Sequence, residues 1–430
     1  MGNFPVRRLL LLFWLPLALA GCAVDSATAP GTGMLVGSSL PPAGYGLPEG
    51  EFTDDPISIA IALPLSGPNA AAGQALLDAA SLALFEAYDP RISLNPYDTL
   101  GTPEGAERAV QLALSDGAEV ILGPLFAESI RRAAPLARDA GVLLIGFSNN
   151  RAVAGDGVYL ASFMPDQEVR RVVRYATSKG HRKFAALIPD TAYGQMILKS
   201  LSDTLSESDA SIVALEIYTR DSQEVFAPVR RLANYDTRRR AYLAEEAFLK
   251  ALDDDLADEI LKSIENLETL GEVTFDAVLV PEGGQLLRSL APLLPFFEVD
   301  PATVRFLGTG LWDDRSLVHE PPLQGGWYAG VPVEARDAFA LRYKTLFGAE
   351  PPRIASLGYD AMSLVAILAR NEIRDERFTA AAIENPNGFT GVDGGFRFLP
   401  NGTTERNLAV IEIGKTGFRT VSPAPESFEK

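Results

Sequence analysis

The chain has 430 residues, 47% of them hydrophobic, and a formal net charge of −18. That length supplies core for two lobes, and the acidity argues against nucleic acid and anionic lipid headgroups as partners. Cys22 is the only cysteine, which excludes an intramolecular disulfide, and the two histidines, His181 and His319, lack metal-ligand spacing.

Arg7-Arg8 precedes an apolar run from Leu9 to Ala20, followed by Gly21-Cys22. A basic start, a short apolar stretch and small residues at the cut describe a secretory signal. The run is too short for a bilayer span of about 20 residues, and Pro16 weakens it as a helix. Leu19–Cys22 resembles the lipobox of bacterial lipoproteins. The resemblance implies a signal peptide over 1–21 and a permanent membrane anchor through acylated Cys22. With Ala23 next, rather than Asp, it favours the outer membrane. Loss of Arg7 and Arg8 makes the mature chain more acidic by two. Residues 22–55, rich in Ala, Gly, Ser, Thr and Pro, read as a disordered tether with a reach of about 30 Å.

From Ile57 the pattern changes. Ile57–Leu63 reads as a buried strand, and helix spacing follows at Leu76, Leu77, Ala80, Leu84 and Tyr88. Strands at 92–94, 119–122 and 142–145 alternate with helices at 103–114 and 128–139. A second series has helices at 167–178, 193–205, 225–233 and 285–293. Its strands fall at 184–188, 212–218, 275–280 and 304–307. This alternation predicts parallel sheets covered by helices on both faces. Within the second series a charged helix is expected between Arg238 and Leu270. Its apolar positions Leu249, Leu252, Leu256, Ile260, Ile264 and Leu267 step by three or four, so they form one stripe. Tyr359-Asp360 reads as the cap of an apolar helix. Asn401-Gly402 suits a tight turn, which predicts a hairpin between Phe396–Leu399 and Leu408–Ile413.

Ala62–Pro68, Gly123–Phe126, Ile145–Asn149 and Pro189–Gly194 lie at the carboxyl ends of these strands. In that order and spacing they resemble the type 1 periplasmic binding proteins. Tyr97–Gly105, Gly308–Asp314 and Gly391–Phe398 bring the chain nearer to the penicillin-binding protein activator lipoproteins. The resemblance implies an α/β fold of two doubly wound parallel-sheet lobes with a cleft between them. Residues 56–165 and 332–394 would form lobe 1. Residues 166–331 and 395–422 would form lobe 2, with the helical insertion at 238–270. The chain would cross near Pro165, Val331 and Gly394, and the hairpin at Asn401 would return to lobe 2.

Ligands of such sheets sit beyond the strand ends. The expected cleft residues are Ser66, Phe126, Ser129, Ser148, Asn149, Asn150, Tyr193, Glu282, Trp312 and Asp313. Ser148, Asn149 and Asn150 could meet a peptide or sugar, or serve only as loop and cap residues. Tyr193 and Trp312 could line the cleft or pack in a core. The family's amino-acid binders place a hydroxyl after the third strand and an acid after the strand ending at Leu307. Here the matching places hold Ala127, with Ser129 two residues beyond, and Gly310-Leu311, with Asp313 and Asp314 farther on and Glu282 as another candidate acid, so the two groups that read a zwitterion are not plainly present.

Neither a nucleophile elbow nor a phosphate loop occurs, His181 and His319 sit in loop-like turns, and neither an enzyme, a metal nor a cofactor is expected. Two readings follow. One is a periplasmic, outer-membrane lipoprotein that activates a peptidoglycan synthase by contact with its periplasmic domain, with room for a small ligand in the cleft. The other is the solute-binding lipoprotein of an ABC importer for amino acids or peptides.

Overall fold

The structure, a computed structural model, describes residues 55–252 and 254–428. The signal segment, Cys22 and the tether up to residue 54 lie outside the described residues. Asp55, placed in the tether by sequence, belongs to the folded body, where it pairs with Arg377 at 3.2 Å.

β1 (Ile57–Leu63) is a continuous apolar run, buried along almost its whole length. Such a strand needs cover on both faces, and it lies inside a parallel sheet ordered β2-β1-β3-β4-β5. Its companions are β2 (Ile92–Asp98), β3 (Val120–Leu122), β4 (Leu143–Gly146) and β5 (Val158–Leu160). The crossovers are α1 (Ala70–Ala87), α2 (Pro103–Ser115) and α3 (Ala127–Asp139). Thr102 starts α2 by accepting the Gly105 N–H at 3.0 Å, with Pro103 in the first turn.

The chain then enters the second lobe through α4 (Pro165–Ser178), β6 (Lys183–Pro189), α5 (Ala192–Leu205) and β7 (Ser211–Tyr218). There follow α6 (Phe226–Leu232), α7 (Tyr235–Leu252), α8 (Asp255–Ile264), β8 (Ala277–Leu279), α9 (Gly284–Leu290), α10 (Leu293–Phe296), β9 (Arg305–Gly308) and β10 (Trp327–Gly330). It returns to the first lobe as α11 (Val333–Phe347) and α12 (Ala355–Leu368), whose apolar faces pack against α1. A small antiparallel sheet of β11 (Phe389–Gly391), β12 (Gly394–Phe398) and β13 (Thr404–Arg406) follows. Finally β14 (Ala409–Ile413) and β15 (Phe418–Ser422) complete a second sheet, ordered β15-β14-β10-β9-β8-β6-β7.

Five expectations need correction. The turn at Asn401-Gly402 forms, but Phe398 pairs with Thr404, and β14 pairs with β10 instead. Phe396 and Phe398 bury in the first-lobe core, so the hairpin stays with lobe 1 and the last crossing falls at Asn407-Leu408 rather than near Gly394. The apolar side chains decide this: β12 has a buried face to cover, and the first lobe offers the cover.

The insertion is two helices rather than one. Asp254 leaves α7 and caps α8, its carboxylate accepting the Ala257 N–H at 2.8 Å; consecutive aspartates favour a cap over a helix interior. Leu249 and Ile264 point inward with Tyr242 and Ala257, whereas Leu252, Leu256, Ile260 and Leu267 are exposed. Tyr359-Asp360 lies inside α12, not at its cap. Asp360 is buried against Arg406 at 2.8 Å and accepts the Val392 N–H. His181 is not free in solvent. It packs edge-on against Trp327 and lies 3.4 Å from Asp276; burial lowers its pKa, with Asp276 partly offsetting this.

Candidate functional site

Between the lobes lies a cavity of 440 Å³. The loop after β3 contributes Leu125, Phe126 and Ala127; the loop after β4 contributes Phe147, Ser148 and Asn149. Phe163 comes from the first crossing, Glu168 from the first turn of α4, Gly310 from the loop after β9, and Arg353 from just before α12. Carboxyl-terminal strand ends thus converge here, as open α/β sheets dictate.

One end of the cavity is closed by the protein's own ion pair. Glu168, on lobe 2, accepts the Gly310 N–H at 2.8 Å through Oε2. Its Oε1 meets Arg353 Nη2 of lobe 1 at 3.2 Å. Arg353 Nη1 in turn donates to the Gly310 carbonyl at 3.0 Å. The guanidinium also lies over the Phe163 ring, 4.0 Å from its centroid. The three residues make a closed ring that ties one lobe to the other. Burial pushes the Glu168 carboxyl above its ordinary range, while Arg353 and the Gly310 N–H pull it back in part.

Glycine at position 310 leaves room for both charged ends. A Cβ there would stand 2.3 Å from both Glu168 Oε1 and Arg353 Nη1. The place where an acid was expected to greet a ligand's ammonium is therefore filled by an internal carboxylate already matched to an internal guanidinium.

A second buried cluster lies behind the first. Arg406, which pairs with Asp360, also stands 4.9 Å from the Phe163 centroid. Asp393 accepts the Ser356 hydroxyl at 2.5 Å. Burial, reinforced by the nearby Asp360 carboxylate, pushes the Asp393 carboxyl up to about 7.

Of the residues expected from sequence, the cavity brings together Phe126, Ser148 and Asn149. Trp312 does not line it. It is fully buried in the lobe 2 core, in a slot formed by Gly308 and Gly326, where any Cβ would strike the indole. Glu282 is likewise buried and fully engaged, accepting from Tyr218 at 2.9 Å, from Arg220 and from the Gly283 N–H. Asp313 is held by Arg336 and the Tyr328 hydroxyl beside the second crossing, where it lines a separate pocket of 260 Å³. Tyr193 packs within lobe 2, its hydroxyl 3.0 Å from that of Thr309. Ser129 is buried inside α3, Asn150 caps a short 3-10 turn by accepting the Ala152 N–H, and Ser66 is exposed. None of these three lines the cavity.

Sequence reading missed Glu168, Arg353 and Phe163. Glu168 follows Pro165 in an acidic first turn, a pattern shared by ordinary exposed helix starts. Among the described residues, no group of three or more His, Cys, Asp or Glu is placed to hold a metal ion.

The periplasmic binding protein family model matches residues 56–417. The chain belongs to that family. Solved structures agree on the fold. A putative branched-chain amino acid ABC transporter protein from Rhodospirillum rubrum superposes with a TM-score of 0.66 at 17% identity, covering 85% of this chain and 100% of that one. The substrate-binding protein LivJ of Streptococcus pneumoniae, in complex with isoleucine, gives 0.55 at 18% identity over 86% and 100%. A solute-binding protein from Rhodopseudomonas palustris, in complex with 3,4-dihydroxybenzoic acid, gives 0.58 at 19% over 88% and 98%. In sequence, the uncharacterized protein RP748 of Rickettsia prowazekii is 28% identical over 192 residues. That match spans 43% of this chain and about half, 51%, of the relative.

Chemically, the cavity offers three phenylalanines and a few polar groups. Ser148 Oγ already accepts the Asn150 N–H at 3.1 Å. Arg353 Nε is buried with no hydrogen-bond partner. Such a lining favours an apolar or aromatic body over a zwitterion, whose ammonium would meet Arg353 without a free acid.

Proposed function

We propose that this chain is a lipid-anchored periplasmic protein, held through Cys22 to the outer membrane, that regulates a peptidoglycan synthase by protein contact. In this reading it performs no covalent chemistry; binding shifts the synthase toward its active state. The observation that carries it is the Glu168–Gly310–Arg353 ring, which ties the lobes together and occupies the corner where an amino-acid binder needs a free acid. The likeness of Tyr97–Gly105, Gly308–Asp314 and Gly391–Phe398 to the activator lipoproteins supports the same reading.

The test is glycan polymerisation by the organism's own synthase, with and without the soluble form beginning at Asp55. Acceleration at stoichiometric protein supports the proposal; an unchanged rate and no binding sink it.

A second reading, a solute receptor for an ABC importer, is favoured by the 440 Å³ cavity with Arg353 Nε unpartnered beside it. The Rhodopseudomonas palustris neighbour carries an aromatic acid. Titration calorimetry with isoleucine and with 3,4-dihydroxybenzoate separates the two: tight stoichiometric binding of either supports the importer.

A further inference from the structure

The insertion between β7 and β8 is a helical hairpin with its own small core, formed by Tyr242, Leu249, Ala257 and Ile264. Its root is fixed to the lobe. The Leu270 N–H donates to the Arg238 carbonyl at 3.1 Å, and buried Arg238 pairs with Glu298 at 3.2 Å. The arm beyond the root nevertheless leaves large apolar side chains in solvent. Leu256 is 66% exposed, Phe248 58%, Leu252 45%, Leu267 45% and Ile260 38%.

Phe248 and Leu252 are four residues apart on α7, and so are Leu256 and Ile260 on α8. Each pair therefore forms a stripe on its own helix. In an antiparallel right-handed pair with Leu249 and Ile264 turned inward, both stripes come to the same side. The result is one apolar face across two helices, larger than scattered surface residues require.

The arm that carries that face is acidic. Beyond Arg238, Arg239 and Arg240 at its root, residues 241–270 carry nine Asp and Glu against two Lys; Asp255 and Glu259, exposed on α8, neighbour Leu256 and Ile260 in the chain, and Lys250 is already paired with Glu246 at 2.8 Å. Such a surface repels anionic lipid, and two copies face to face would bring like charges together. It complements an apolar patch ringed by Lys and Arg.

We infer that the α7–α8 hairpin is the docking arm of this protein, and that its occupant is a folded periplasmic domain presenting an apolar patch with a basic rim. The inference rests on the synthase reading above and assigns that contact to this face. The acidic charge would steer the encounter and the leucines would hold it.

The test uses the full ectodomain from Asp55 and the purified periplasmic region of the synthase, titrated at low and moderate salt. A photo-crosslinking residue is placed at position 256 and, as a control, at Leu112, which is exposed on α2 of the other lobe. Two variants accompany it: Leu256→Ser with Ile260→Ser, and Asp255→Lys with Glu259→Lys. The expected results are wild-type binding that weakens with salt, at least tenfold weaker binding for both variants at unchanged helix content, and crosslinks from 256 alone. Wild-type binding that both variants retain, with crosslinks from 112, overturns the docking arm and leaves the synthase reading standing. No binding by wild type removes the synthase reading and this inference with it. Hairpin-dependent self-association, or capture by phosphatidylglycerol vesicles, assigns the face to another occupant and overturns the inference.

Discussion

Truncating Arg353 to Met tests the interlobe ring directly. The substitution keeps an unbranched apolar stem against Phe163 but removes the guanidinium. Glu168, almost fully buried, then keeps only the Gly310 N–H. Breaking one partner out of a buried ion pair costs about 3–5 kcal/mol. The lost hydrogen bond to the Gly310 carbonyl and the lost cation–π contact fall within that range rather than adding to it. Replacing both charges, Arg353→Met with Glu168→Leu, removes the stranded carboxylate, and the double variant should return to within about 1 kcal/mol of wild type. Urea unfolding at pH 7.5, arranged as a double-mutant cycle, reads the coupling. Solution scattering reports whether the single variant opens the lobes.

The pH response gives a second check. With its cation gone, Glu168 has a pKa in the folded state raised further above the unfolded value. The penalty is therefore largest at alkaline pH and shrinks as pH falls and the carboxyl protonates. A single-variant cost below about 1 kcal/mol, or a double variant no better than the single, would refute the idea that this ring holds the lobes.

Three other outcomes are expected. Gly310→Ala places a Cβ 2.3 Å from two ring atoms, so it should disrupt the ring and expand the molecule in solution scattering much as Arg353→Met does; an unchanged scattering profile would count against the geometry. Asp393, with its carboxyl raised to about 7, contributes stability that is present at low pH and lost as pH rises through about 7. Asp393→Asn should therefore gain on wild type between pH 5 and pH 8, by about 3 kcal/mol at most, and parallel unfolding curves at the two pH values would contradict this. Asp254→Ala removes the α8 cap and should cost about 1 kcal/mol. Hydrogen exchange should show that loss confined to the hairpin, with the two sheets unchanged.

Local chemistry was legible where one segment carried the whole signal. The apolar run Ile57–Leu63 announced an interior strand, the segment from Pro103 a helix, and Asn401-Gly402 a turn. The partner of that turn was not legible, because Thr404–Arg406 is polar and its pairing with Phe396–Phe398 is settled by what those phenylalanines bury against. Trp312 shows the same divide. Sequence left it between the cleft and a core, and in the fold Gly308 and Gly326 make room for the indole in the lobe 2 core.

By itself the sequence determined the class of fold, and it carries an export-like start and no plain pair of zwitterion-reading groups at the matching places, because each is written in short patterns of polarity and size. Only the tertiary structure decided what took their place. Glu168 and Arg353 stand 185 positions apart, and a carboxylate in a first helical turn looks the same in sequence whether it meets water or a buried cation. Packing brings the two to Gly310, and the cost of an unpaired buried charge keeps them there.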